Sequence, residues 1–93
     1  QSAMNICAYR DAVAADLKLK HALASKVQQL PACKESLEAR IARWENKRDQ
    51  VCERSAAKDY GGGSMAQMAR SMCVEHEIVQ MTKQVERQRT CEK

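Results

Sequence analysis

The chain has 93 residues, which is enough for one small domain, residues 1–93. It contains no Phe, one Trp and two Tyr, so aliphatic residues, Met and Ala must supply most of the core. The 16 basic and 12 acidic residues give a net charge of +4 and interleave along the chain, which is not a nucleic-acid-binding pattern.

The first predicted element is an amphipathic helix from residue 3 to about residue 30. Apolar residues recur at spacings near three and four with lysines between them, which is the period of a helix with one buried face. Pro31 disfavours helical geometry at Leu30, so a break is expected there. The residues assigned to the buried face are Val13, Leu17, Leu23, Val27 and Leu30.

A second helix is predicted from residue 34 to about residue 56. Trp44 and Arg48 are one turn apart, so either the guanidinium lies over the indole ring or the pair forms part of the core and its rim. Asp49 is then expected to pair with a basic residue of the first or third helix, or to order the following turn. The buried face of this helix is expected to carry Leu37, Ile41, Trp44, Arg48 and Cys52.

The three glycines of the chain stand in a row at positions 61–63 and predict a chain reversal. Ser64 precedes Gln67 by three residues, which is the spacing of a capping box, and should begin a third helix that ends at about residue 89. No segment alternates apolar and polar residues as a strand does, so we predict an all-α fold of three antiparallel helices. The methionines of the third helix are expected in the core rather than in a metal-binding surface: Met65, Met68, Met72 and Met81.

Five cysteines lack the CxxC spacing of zinc sites, so disulfides are favoured and an oxidising compartment is indicated. Cys33 and Cys52 are 19 residues apart, and Cys73 and Cys91 are 18 apart, which are rises of about 27–28 Å along two helices. Antiparallel helices therefore predict Cys52–Cys73 near the glycines and Cys33–Cys91 at the far end. Cys7 is left unpaired, and the alternatives are that it pairs with Cys52, with Cys73, with a partner chain or with a cysteine upstream of Gln1.

Three stretches lie in order between about residues 4 and 73: "MNICAYRDAVAADLKL", "SLEARIARWENKRDQVC" and "GGSMAQMARSMC". Together they resemble the LprI-type lysozyme inhibitor domain, a small secreted helical module of bacteria. The resemblance implies a helical fold, export to the periplasm or beyond, and binding to lysozyme. Its motif residues, for which we expect structural roles, include Asn5, Asp16, Trp44, Arg48 and Asp49.

Lysozymes place two carboxylates in a cleft, and a small rigid protein can block that cleft with a loop that carries hydrogen-bond donors. The glycine turn is the candidate loop, with Arg54, Lys58 and Ser64 as donors. The alternative is that glycines and serine act only as helix-ending and helix-starting residues. The full candidate loop is Arg54, Lys58, Tyr60, Gly61, Gly62, Gly63 and Ser64.

The net charge bears on the partner, because many lysozymes are strongly basic and like charges slow encounter. An envelope-associated interaction module that binds anionic components is therefore the alternative function. No paired nucleophile and base or phosphate loop is present, so we expect no enzyme, no cofactor and no metal. The chain has no apolar run of membrane-spanning length, and we expect a secreted or periplasmic protein whose export signal has been removed. The sequence predicts no oligomeric state.

Overall fold

The structure, a computed structural model, describes residues 2–61 and 63–91. It contains three long helices, α1 (Ser2–Gln29), α2 (Lys34–Tyr60) and α3 (Ser64–Arg87), and a single 3₁₀ turn (Pro31–Cys33) between the first two. Within these residues there is no strand. The all-α prediction is confirmed.

The helix ends follow the backbone preferences of a few residues. Leu30 has φ −131° and ψ 72°, outside the helical region, because Pro31 follows it. α2 continues to Tyr60, four residues beyond its predicted end, since Ala56, Ala57 and Lys58 all favour helix. Gly61 then ends α2 with φ +70°, a left-handed value that side chains resist. α3 ends at Arg87, two residues earlier than predicted.

The predicted capping box at the start of α3 is wrong by one residue. Gly63 occupies the N-cap, with extended backbone at φ −87° and ψ −173°, and Ser64 is already the first helical residue. A glycine has no side chain to accept a hydrogen bond from the first turn, and α3 begins without a side-chain cap.

α3 is the helix against which both others pack, whereas α1 and α2 approach each other less closely. Residue numbers fall on α3 as they rise on α2, which is the order expected of antiparallel helices. Along α1 and α3 the numbers rise together. The α2–α3 pairs are Arg40–Gln84, Cys52–Cys73 and Glu53–Arg70, and an α1–α3 pair is Lys26–Glu86. Cys33–Cys91 joins the 3₁₀ turn to the tail that follows α3.

The core lies where the three helices meet, in the half of the molecule that is farther from the glycine turn. Leu19 of α1 and Val85 of α3 are completely buried, and Ile41 of α2 packs into the same cluster. Trp44 packs against it from the side. The whole cluster of buried residues is Ala15, Leu19, Ile41, Ile78, Met81 and Val85.

The buried face of α1 differs from the predicted one. Val13 is 42% exposed and Leu17 is 58% exposed, although both were assigned to the core. Small residues occupy the contact with the other helices because they let helix backbones approach closely, and the larger side chains point outward. The buried residues of α1 are Ala8, Ala12, Ala15, Leu19 and Lys26.

The prediction that the α3 methionines lie in the core is wrong for two of the four, and Met68 is half-buried. Met81 is buried with Ile78 and Val85, but Met72 is 55% exposed and Met65 is 36% exposed. The face of α3 that carries Ile78 and Val85 packs against the other helices, so the face that carries Met65 and Met72 is exposed to solvent.

Candidate binding surface at the glycine turn

Two disulfides join the α2 side of the molecule to α3 and its tail. Cys52 and Cys73 lie with their Cα atoms 5.6 Å apart, about two helical turns from the glycines. Cys33 and Cys91 are 5.2 Å apart by the same measure and close the opposite end. These are the two pairs that the helix spacing predicted, and Cys7 is free and exposed. The bridges hold both ends of the α2–α3 hairpin.

The connection itself is shorter than predicted, since only residues 61–63 lie between α2 and α3. Gly62 and the side chains of Tyr60 and Ser64 lie outside the described part of the structure, as does the side chain of Asn5. A loop of this length cannot reach deeply into a cleft by itself. The described ends of α2 and α3 form most of the surface at this end of the molecule.

Arg54 and Lys58 lie on the last turns of α2 and not in the loop. They are four residues apart, so they are neighbours on the helix surface, and both are exposed. Neither forms an ion pair with a carboxylate in the described residues, whereas the adjacent Glu53 accepts a hydrogen bond from Nε of Arg70 at 3.1 Å. Two uncompensated cations therefore stand side by side at this end of the molecule.

The half of the molecule that contains the turn, which we call the turn half, consists of residues 2–15, 47–61 and 63–77. It carries six basic and six acidic residues and is electrically neutral. Most of the large exposed apolar side chains also lie here. They are Ile6, Tyr9, Val13, Val51, Met65 and Met72, and Tyr9 is 67% exposed.

A groove of about 250 Å³ runs between α1 and α2 in this half. Tyr9 and Val13 form its α1 wall, Arg48 and Asp49 its α2 wall, and Val74 of α3 lies at its floor. The groove thus combines an exposed aromatic ring with charged groups.

The Arg48 guanidinium lies over the Trp44 ring, 5.0 Å from its centroid. Nε and Nη2 of Arg48 both donate to Oδ1 of Asp49, at 3.0 and 2.8 Å. The partner of Asp49 is thus its neighbour in α2 and not a residue of the other helices. Asp16 accepts a hydrogen bond from Lys20 one turn along α1, at 3.0 Å. The polar contacts of Asp16, Arg48 and Asp49 thus lie within single helices, whereas Trp44 also packs against the core that the three helices share.

Lys26 is a residue that sequence reasoning missed. It is only 9% exposed, and its Nζ donates to the backbone oxygen of Glu86 and to Oε1 of Gln29. A lysine is usually exposed, whereas a position between the apolar Leu23 and Leu30 favours burial, so the sequence did not indicate whether Lys26 is buried.

In the part of the chain that the structure describes, no three His, Cys, Asp or Glu side chains gather in a metal-binding group. No described helix is both long enough and apolar enough to cross a bilayer. The surface at the turn half carries cations, carboxylates and exposed apolar side chains.

No curated protein and no solved structure matches this chain. The family model of the lysozyme inhibitor LprI does match, over residues 1–85, which includes all three motif stretches and nearly all of the three helices. The chain belongs to the LprI lysozyme inhibitor family.

Proposed function

We propose that the protein is a secreted, non-catalytic binding protein that inhibits lysozyme. The family match across residues 1–85 is the observation that carries this proposal. The two disulfides support it, because such bonds persist in oxidising compartments such as the periplasm and the extracellular space, where lysozyme acts.

The turn half is the proposed contact surface. A basic enzyme is repelled by a basic surface, but the turn half is neutral, so the net charge of +4 does not oppose an approach from this side. Its exposed apolar residues supply area to bury on association, and Tyr is among the residue types that dominate binding energy at interfaces. Tyr9 and Val13 are exposed members of this area that line the same groove.

Arg54 and Lys58 are the proposed donors to the two carboxylates of a lysozyme cleft. Charge-assisted hydrogen bonds from cations to carboxylates are stronger than neutral ones. Because Cys52–Cys73 fixes the hairpin close to these residues, little backbone freedom is lost on binding. The whole hairpin end, including Tyr60, Gly61, Gly62, Gly63 and Ser64, would then lie against the enzyme.

The direct test is hydrolysis of cell-wall suspensions by a c-type and a g-type lysozyme while the oxidised protein is titrated in. We expect inhibition that saturates near one inhibitor per enzyme. No inhibition of either enzyme at a large molar excess would overturn the proposal.

The contact surface is tested by a pair of matched double variants on α2. Arg54→Ala with Lys58→Ala removes two exposed cations near the turn, and we expect the inhibition constant to rise about tenfold or more, which corresponds to about 1.4 kcal/mol. Lys34→Ala with Arg43→Ala removes two exposed cations from the far end of the same helix and is expected to leave it nearly unchanged. Equal effects of the two double variants would rule out this surface.

A further inference from the structure

The net positive charge of the described residues lies in one half of the molecule. We call residues 16–46 and 78–91 the basic half, and it carries nine basic and five acidic residues. The turn half is neutral, so the whole excess of +4 in the described residues lies in the basic half. Such an uneven distribution creates a directional field along the long axis of the molecule.

Most of these cations have no carboxylate partner. In the described structure, Lys20 with Asp16 is the only ion pair of the basic half. Arg40 donates from Nη1 to Gln88 and from Nη2 to Gln84, which are neutral amides, so its charge stays uncompensated. The exposed basic residues without an ion pair to a described carboxylate are Lys18, Lys34, Arg43, Lys83, Arg87 and Arg89.

Local stability accounts for only some of these positions. Arg87 lies in the last turn of α3, where a cation complements the helix dipole. Lys34 is the first residue of α2, where the same dipole disfavours a cation. The Cys33–Cys91 bridge also brings the chain segments that carry Lys34 and Arg89 together. The fold thus gathers like charges whose mutual repulsion an external anion would relieve.

We infer that the basic half binds a flexible linear polyanion, a polymer of the cell envelope with repeating phosphate or carboxylate groups. The cations stand on all three helices and extend along about half of a molecule 44 Å long. At physiological ionic strength charges interact over only about 8 Å. A flat bilayer would therefore meet only the cations nearest one end or one side, whereas a flexible chain follows them around the helices.

This binding does not depend on lysozyme inhibition, because it uses the opposite half of the molecule. A protein held by its basic half keeps the turn half free for a second partner. The two surfaces therefore make separate predictions.

The test uses the full oxidised protein and linear poly(glycerol phosphate) as the probe, with affinity measured by calorimetry at several salt concentrations. We expect binding whose logarithm falls linearly with the logarithm of the salt concentration, as counterions are released. Vesicles of phosphatidylglycerol, compared with vesicles of phosphatidylcholine, form a second arm. No binding to the polymer, or tighter binding to the anionic vesicles than to the polymer, would overturn the inference.

Two triple variants, each removing three exposed cations, locate the surface. Lys18→Gln, Arg43→Gln and Lys83→Gln lie in the basic half, and we expect them to weaken polymer binding about tenfold or more and to flatten its salt dependence. The matched control in the turn half is expected to change binding less than about threefold, and equal losses in both would contradict the inference. All six positions are exposed, so folding is preserved, and the control consists of Arg10→Gln, Arg54→Gln and Lys58→Gln.

The lysozyme assay on the same proteins separates this inference from the proposed function. The basic-half variant is expected to inhibit lysozyme normally while losing polymer binding. If the unmodified protein does not inhibit lysozyme, the proposed function fails, and the polymer measurements still test this inference.

Discussion

Nζ of Lys26, in the last turn of α1, donates a hydrogen bond to the backbone oxygen of Glu86, in the last turn of α3, over 3.1 Å. The last carbonyls of a helix have no partner within it, so this buried ammonium satisfies one of them from a neighbouring helix. It also places a cation at the negative ends of both helix dipoles.

Lys26→Met keeps the aliphatic stem and removes the donor. We expect the free energy of unfolding to fall by about 1–3 kcal/mol, because the Glu86 carbonyl is left without a partner. Lys18→Met, on the exposed side of the same helix, is the control and is expected to change it by less than about 0.5 kcal/mol. Urea denaturation of both variants decides the matter, and equal stabilities would show that the hydrogen bond contributes nothing.

The two disulfides are predicted to contribute different amounts to the free energy of unfolding. Cys33–Cys91 spans 58 residues and Cys52–Cys73 spans 21, so the longer loop restricts the unfolded chain more. Replacing each pair by alanines should cost about 4 kcal/mol for the first and about 3 kcal/mol for the second. Cys7→Ala, which removes the exposed free thiol, is the control without a bridge. A larger loss for the shorter loop in denaturant titrations would contradict this order.

Trp44 is the single tryptophan, so its fluorescence reports directly on Arg48. Arg48→Met removes both the stacking on the indole and the bonds to Asp49, and we expect a shifted emission maximum and a loss of about 1 kcal/mol. Lys47→Met, at the adjacent exposed position, is expected to leave the spectrum unchanged. An identical spectrum for Arg48→Met would show that the ring and the guanidinium do not interact in solution.

The two described glycines of the turn should respond oppositely to substitution. Gly61→Ala forces a side chain into φ +70° and is expected to cost about 1 kcal/mol, although the surrounding space is open. Gly63→Ser places a hydroxyl at the N-cap of α3, where the backbone is already extended, and is expected to stabilise by a few tenths to about 1 kcal/mol. Thermal unfolding of both variants measures the signs, and two shifts in the same direction would contradict the assignment of the caps.

Features that depend on residues close together in the sequence could be predicted from it. Pro31 ends α1 as predicted, and Leu37, Ile41 and Cys52 are buried on the predicted face of α2. A proline acts on the residue before it, and a face of large apolar residues with charged residues opposite has one stable orientation.

The buried face of α1 could not be predicted in this way, because one side of the helix carries alanines and another carries valines, and either pattern fits a buried face. Which set is buried depends on how closely α3 approaches, and that distance is set by side chains on both helices. The confinement of charge to one half likewise follows from the register of three helices. At the candidate site, α2 extends to Tyr60, beyond its predicted end at about residue 56, so Lys58 lies on the same helix as Arg54 and not in a loop.

Both covalent bridges join the α2 side to α3 and its tail, and neither includes α1, which is attached only through Leu30 and the 3₁₀ turn. If α1 separates from the other two helices, α2 and α3 remain cross-linked, so their conformational entropy rises only a little. Amide protons of α1 should exchange with solvent through this partial opening, at a lower free energy than those of α2 and α3 between the bridges. We therefore expect α1 to unfold before the hairpin that the two disulfides close.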